Sequence, residues 1–128
     1  MEIKSSQKLV EEALKEIKTI SPEEALAKLK DDKCNLIDIR DETELQKTGK
    51  IEDSHHISRG LLEFSIHPES AFVKNHKINL NKEIVLFCAA GGRSALALKT
   101  LKEMGFENVS HVEGGFGLMQ SSGFKVNK

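Results

Sequence analysis

Apolar residues recur along the chain in two rhythms. Between Lys8 and Ile17 they are Leu9, Val10, Ala13, Leu14 and Ile17, a spacing that lines them along one helical face. Such a helix either packs on its own domain or offers its face to a partner or a second copy. In TISPEEALAKLK, Ser21 suits an N-cap and Pro22 the first helical position. Glu24, three residues on, fits a capping box, so a helix is predicted over 22–30. NLIDIR reads as a short buried strand ending at Arg40. DETELQKTG repeats the capping pattern with Asp41 and Glu44, and Gly49 stops a short helix. HHIS fits a short strand. RGLLEF and PESAFVKNH read as helical, with Pro68 in a first turn.

The two strongest signals come next. EIVLFC is a continuous apolar run of strand length. RSALALKTLKEMG places Ala95, Leu98, Leu101 and Met104 at helical spacing and ends at Gly105. NVSHV is a further strand, and GGFGLMQSSGF gives a glycine turn, a short helix and a tail. Strands alternating with helices predict an α/β fold with a parallel sheet. Residues 1–17 read as a helical extension and 18–128 as one domain, since a chain of 128 residues is too short for two ordinary cores.

Composition narrows the function. Hydrophobic content of 38% and charged content of 30% are those of a soluble globular protein. A formal net charge of -1 gives no global basic field to recruit nucleic acid or an acidic membrane. Trp and Tyr are absent, which weakens base stacking. The N-terminus lacks the apolar core of a signal peptide, and no run approaches the roughly 20 apolar residues of a membrane span. The expected compartment is the cytoplasm, where thiols stay reduced.

Candidate chemistry centres on Cys88, where the best strand gives way to the best helix. Ligands of open parallel sheets bind outside the carboxyl ends of the strands. The loop Ala89, Ala90, Gly91, Gly92 leads into a helix N-terminus, whose free N–H groups and positive dipole end face an anion. The glycines let backbone N–H groups turn inward, the alanines leave the approach open, and Arg93 adds a permanent positive charge. This setting favours the thiolate, the nucleophilic form of cysteine. The bland alternative is a core thiol that happens to end a strand.

On these residues the chain resembles the rhodanese-like domain family, the sulfurtransferases. The resemblance spans about Lys18 to Val126. It rests on LIDIRDETEL at 36–45, on I-x-x-S-x-x-I from Ile51 to Ile57, and on VLFCAAGGRSALALKTLKEMGFENVSHVEGGF at 85–116. It implies a central parallel five-stranded sheet flanked by helices on both faces. It also implies that Cys88 accepts a sulfane sulfur as a persulfide, cradled by the loop Ala89, Ala90, Gly91, Gly92, Arg93 and Ser94. The implied donor is a small molecule such as thiosulfate. The implied acceptor is cyanide, a thiol or a partner protein, and no metal or organic cofactor is needed. The chain departs from the family's usual pattern at GKIEDS (49–54), at Met119, where Trp is common, and at Lys125, where Pro is common. Its Cys88–Arg93 loop carries no charge between those two residues, unlike that of some thiosulfate-specific members.

Other residues have competing readings. Asp38 and Arg40 follow a strand as D-x-R and could tune the site, whereas the resemblance implies a mainly structural pair bonded to neighbouring loops; Arg59 is a candidate for the rim. Cys34 precedes the NLIDIR strand, near its amino end, whereas Cys88 lies at the carboxyl end of a neighbouring strand. At ~3.3 Å per residue they lie roughly 15 Å apart along the sheet, too far for a disulfide. His55 and His56 face opposite sides of a strand, and His67, His76 and His111 lack ligand spacing, so no zinc site is expected. GGRSA lacks the Lys of a P-loop.

Three rival functions remain. A cysteine phosphatase or arsenate reductase carries C-x5-R, whereas this chain has C-x4-R, a smaller cradle. A non-catalytic interaction domain commonly loses the cysteine. A sulfur-relay module would share the chemistry and hand its sulfur to a protein, with the first helix as the docking element.

Overall fold

The computed structural model describes residues 1–128. Its strands are β1 (Thr19–Ile20), β2 (Cys34–Asp38), β3 (Lys50–Ile51), β4 (His55–His56), β5 (Glu83–Phe87), β6 (Val109–Val112) and β7 (Val126–Asn127). Five of them form one parallel sheet in the order β1-β6-β5-β2-β4. Every residue of β2, β5 and β6 is buried, as expected of a parallel sheet covered on both faces.

The helices are α1 (Ser6–Leu14), α2 (Pro22–Lys30), α3 (Glu42–Thr48), α4 (Leu62–Ser65), α5 (Ala71–Asn75), α6 (Gly92–Met104) and α7 (Gly115–Ser121), with a 3-10 turn at Arg59–Leu61. Side chains alternate across each strand, so the sheet has two cores. On one face Ile37, Ile39, Leu86 and Cys88 meet Leu62 of α4 and Ala97, Leu98 and Leu101 of α6. On the other, Leu36, Val85, Phe87 and Val112 meet Ala25 of α2 and Phe116 and Met119 of α7. No helix is long and apolar enough to cross a membrane.

The capping residues act as their positions predict. Ser21 Oγ accepts the Glu24 N–H, and Glu44 Oε2 accepts the Asp41 N–H. Other expectations need correction. α1 stops at Leu14 because Lys15 and Glu16 close a tighter turn, donating to the carbonyls of Glu12 and Ala13. Ile17 packs on the core from beyond the helix. Pro68 precedes α5 rather than starting it: Ser70 is the N-cap, accepting the Val73 N–H. β2 ends at Asp38, and Arg40 lies beyond it. Met104 is 39% exposed, outside the buried stripe of α6. The two-residue strands β1, β3 and β7 were not expected; β3 and β7 pair antiparallel in a separate ribbon.

α1 packs against α6. Val10 stands over the start of α6, close enough that a methyl group on Gly92 would meet its side chain at 3.7 Å. The N-terminal helix therefore roofs the helix end on which the candidate chemistry sits.

Candidate active site

Cys88 follows the last residue of β5, at the carboxyl edge of the sheet, and is 1% exposed. Its Sγ accepts N–H groups from Gly91 at 3.2 Å and Ser94 at 3.3 Å. Ser94 Oγ lies 3.6 Å from the same sulfur. Two backbone N–H groups thus converge on one sulfur atom, with the Ser94 hydroxyl beside it. Hydrogen bonds to the charged form of a group favour that form.

The loop takes this shape for two reasons. Gly91, with φ of 108°, is left-handed, so its N–H turns back toward Sγ as α6 begins. The α7 end of the chain then holds the loop from outside. Phe116 N–H donates to Cys88 O at 2.8 Å, and Gly117 N–H donates to Ala89 O at 3.3 Å. The loop's first carbonyls thereby point away from the sulfur. Gly115 makes this approach feasible. Its φ is +60°, and a Cβ there would overlap the carbonyl oxygen of Cys88 and lie 2.8 Å from that of Ala89.

Arg93 does not carry a free charge. Its Nη1 and Nη2 donate to Glu44 Oε2 and Oε1 at 2.8 and 2.9 Å. The Arg93 guanidinium pulls the Glu44 carboxyl down to about 2, and Glu44 raises Arg93 in turn. The positive charge expected beside the thiol is real but balanced. Glu44 also caps α3, and that role alone gave no sign in the sequence that it reaches the loop.

The sulfur opens into a cleft of about 330 Å³ lined by Ser6, Val10, Ala89, Ala90, Arg93 and Leu96 as well as Cys88. A neighbouring cleft of about 390 Å³, which Val10 also lines, reaches His111 and Glu113. A larger hollow of about 580 Å³, lined by Lys28 and Asp32, lies at the opposite edge, where β2 and β5 begin.

Asp38 and Arg40 are 0% and 1% exposed and bound to each other, with Nη2 to Oδ2 at 2.8 Å and Nε to both carboxylate oxygens at 3.1 Å. Arg40 also donates to Thr48 Oγ1 and Gly49 O and lies over the Phe116 ring, 4.0 Å from its centroid. This pair fastens the end of α3 and the start of α7 to the sheet. Arg59 donates to Glu63 at 2.8 Å and to Thr100 at 3.5 Å. Thr100 is eight residues beyond Gly92, ~12 Å along α6, so Arg59 is not brought to the loop.

Both cysteines are free. Cys34 pairs in register with Glu83, at the start of its strand. Burial, and then the Glu83 charge, push its thiol up to about 11. No group of three or more His, Cys, Asp or Glu side chains converges as a metal site. His56 bonds Arg40 O, and His76 stacks on Phe72.

Sequence reasoning passed over His111. It sits on β6, is 2% exposed, and bonds Ser94 Oγ through Nδ1 at 2.8 Å and Thr19 Oγ1 through Nε2 at 2.9 Å. A polar ring in the buried run VSHV was the available signal.

Comparison with known proteins follows the same outline. The model of the rhodanese-like domain family matches residues 21–121. The chain is 32% identical over 109 residues to the thiosulfate sulfurtransferase GlpE of Pseudomonas entomophila, covering 85% of this chain and 90% of that protein. A Rhodopseudomonas palustris structure, of a protein of unknown function described as a possible tyrosine phosphatase, superposes with a TM-score of 0.84. It is 34% identical, over 99% of this chain and 97% of that one. The polysulfide-sulfur transferase homodimer of Wolinella succinogenes gives a TM-score of 0.72 at 32% identity, over 93% and 84% of the two chains.

Proposed function

This chain belongs to the rhodanese-like domain family of sulfurtransferases, and we propose that it carries a sulfane sulfur on Cys88 as a persulfide. The observation that supports this reading is the convergence of the Gly91 and Ser94 N–H groups on Cys88 Sγ, in a loop whose carbonyls are held outward by α7.

The cycle has two displacements. The Cys88 thiolate attacks the outer sulfur of thiosulfate; the S–S bond of the donor breaks, and sulfite leaves with the bonding pair. Cys88 then bears a persulfide anion. Cyanide attacks its terminal sulfur, thiocyanate leaves, and the thiolate returns. A thiol acceptor, free or on a partner protein, would take the sulfur in the same way. The work asked of the protein is to hold negative charge on one sulfur and then on the next, ~2 Å further out. The N–H groups of Ala89, Ala90, Gly92 and Arg93 make no bond within the chain and would serve the outer sulfur. No proton transfer is required of a side chain, because sulfite leaves as an anion. Release of one product before the second substrate binds makes the scheme ping-pong. The cytoplasm is the compartment proposed for this reduced thiol.

The phosphatase reading shares the thiolate. Its disadvantage is the C-x4-R loop, one residue short of the C-x5-R that encircles a phosphate.

Steady-state thiocyanate formation from thiosulfate and cyanide tests the proposal. Parallel double-reciprocal lines, abolished in Cys88→Ser, are expected, with no turnover of an aryl phosphate. Phosphate release without thiocyanate would overturn the reading in favour of the phosphatase.

A further inference from the structure

The register of the sheet sets Thr19, His111, Leu86 and Ile37 side by side across β1, β6, β5 and β2. Neighbours in such a row face the same side of a parallel sheet. Leu86 faces α6, as does Cys88 two residues later, so His111 also faces α6 and meets Ser94 in its first turn. The result is a continuous buried line: Cys88 Sγ, Ser94 Oγ at 3.6 Å, His111 Nδ1 at 2.8 Å, and Thr19 Oγ1 at 2.9 Å from Nε2.

We propose that His111 is a positioning residue that acts through Ser94 to stabilise negative charge on Cys88. The inference rests on the reading of Cys88 as the sulfur carrier, and it concerns which way the hydrogens in this line point. Each neutral imidazole has one N–H and one acceptor nitrogen. Burial pushes the His111 ring down to about 4, so it is neutral under working conditions. When Cys88 is a thiolate, Ser94 O–H turns to Sγ, His111 Nδ1–H donates to Ser94 Oγ, and Thr19 O–H donates to Nε2. When Cys88 is a neutral thiol, every member reverses: S–H to Ser94, Ser94 O–H to Nδ1, and Nε2–H to Thr19. The line adjusts to the charge on sulfur without itself gaining or losing charge. The carbonyl of Gly91, at 3.2 Å from Ser94 Oγ, competes for the hydroxyl hydrogen whether or not the ring is present. An Nδ1–H donated to Ser94 Oγ removes the ring as an acceptor and polarises the hydroxyl, making it a stronger donor to a charged sulfur than to the neutral carbonyl.

Two measurements test this, and neither needs sulfur transfer, so failure here is distinguishable from failure of the sulfurtransferase reading. The first is the nitrogen NMR signature of the His111 ring in reduced wild-type protein at a pH where Cys88 reacts as a thiolate. Nδ1–H is expected, and the Nε2–H tautomer would overturn the proposal. The second is the rate of iodoacetamide alkylation at Cys88, located by peptide mass, at one neutral pH. His111→Leu should slow it about tenfold, the scale of a lost hydrogen bond to a charged group. His111→Asn, which keeps a donor, should restore most of the rate. Ser94→Ala should match His111→Leu, and the double variant should be no slower than Ser94→Ala alone. A wild-type rate in folded His111→Leu, or effects that simply add in the double variant, would contradict action through Ser94.

Discussion

Arg93 and Glu44, 49 residues apart in the chain, are joined by two parallel N–H···O bonds at the mouth of the Cys88 cleft. A pair in this geometry presents far less positive field than a lone guanidinium. Glu44→Gln should therefore free charge at the mouth. Lower KM for the dianion thiosulfate is expected, with a steeper loss of activity as salt rises. An unchanged KM would mean that the Arg93 charge does not reach the donor.

Asp38 and Arg40 hold each other in the dry centre of the sheet edge. Removing one partner leaves a buried charge unpaired. Arg40→Ala should cost about 3–5 kcal/mol of stability by denaturant titration, while the fraction that remains folded still loads sulfur on Cys88. Full stability with lost loading would assign Arg40 a direct part in the chemistry instead.

Gly115 is where α7 touches the loop. A methyl group there meets the backbone of Cys88 and Ala89, in a left-handed conformation that a side chain resists. Gly115→Ala is expected to reduce kcat/KM at least tenfold by displacing the loop, a larger effect than Gly60→Ala, where a Cβ meets nothing within 4 Å. Equal effects at the two positions would contradict the clamping role.

Burial lowers His111 from 6.5 to about 4. Between those values the unfolded chain takes up a proton that the folded chain does not. Stability should fall as pH drops through that window, by up to about 3 kcal/mol. His55, also lowered by burial, adds in the same direction, whereas the Glu44 contribution is lost only below about 4.5. Unfolding free energy followed from neutrality to about 4.5 should thus show a shallower slope in His111→Asn. Identical slopes would mean that the folded ring takes up its proton as readily as the unfolded one.

The alternating pattern made the central elements readable. EIVLFC and RSALALKTLKEMG became β5 and α6 because the first is a continuous apolar run of strand length and the second carries the helical period, each with its own stop, Cys88 at a strand end and Gly105 at a helix end. The loop between them was legible for the same reason, since two glycines after a strand have a geometric purpose. β1, β3 and β7 were not legible, because two residues have no period. Their existence depends on partners such as His111, for Thr19, and Val126, for Ile51. The partners of the site were hidden by the same distance. Nothing local to Glu44 or His111 says that folding carries one to Arg93 and the other to Ser94. The family resemblance, rather than the D-x-R spacing itself, suggested that Asp38 and Arg40 are a structural pair, and the bonds to Thr48 and Gly49 supply its physical content.

The most direct measurement is the intact mass of reduced protein after thiosulfate, beside Cys88→Ser. Two oxygens weigh nearly the same as one sulfur, so the adduct must also be removable by cyanide or a thiol. A reversible gain of one sulfur atom, absent from the serine variant, is the predicted result. No gain with thiosulfate or with other sulfane donors, from a folded protein, would contradict the persulfide account.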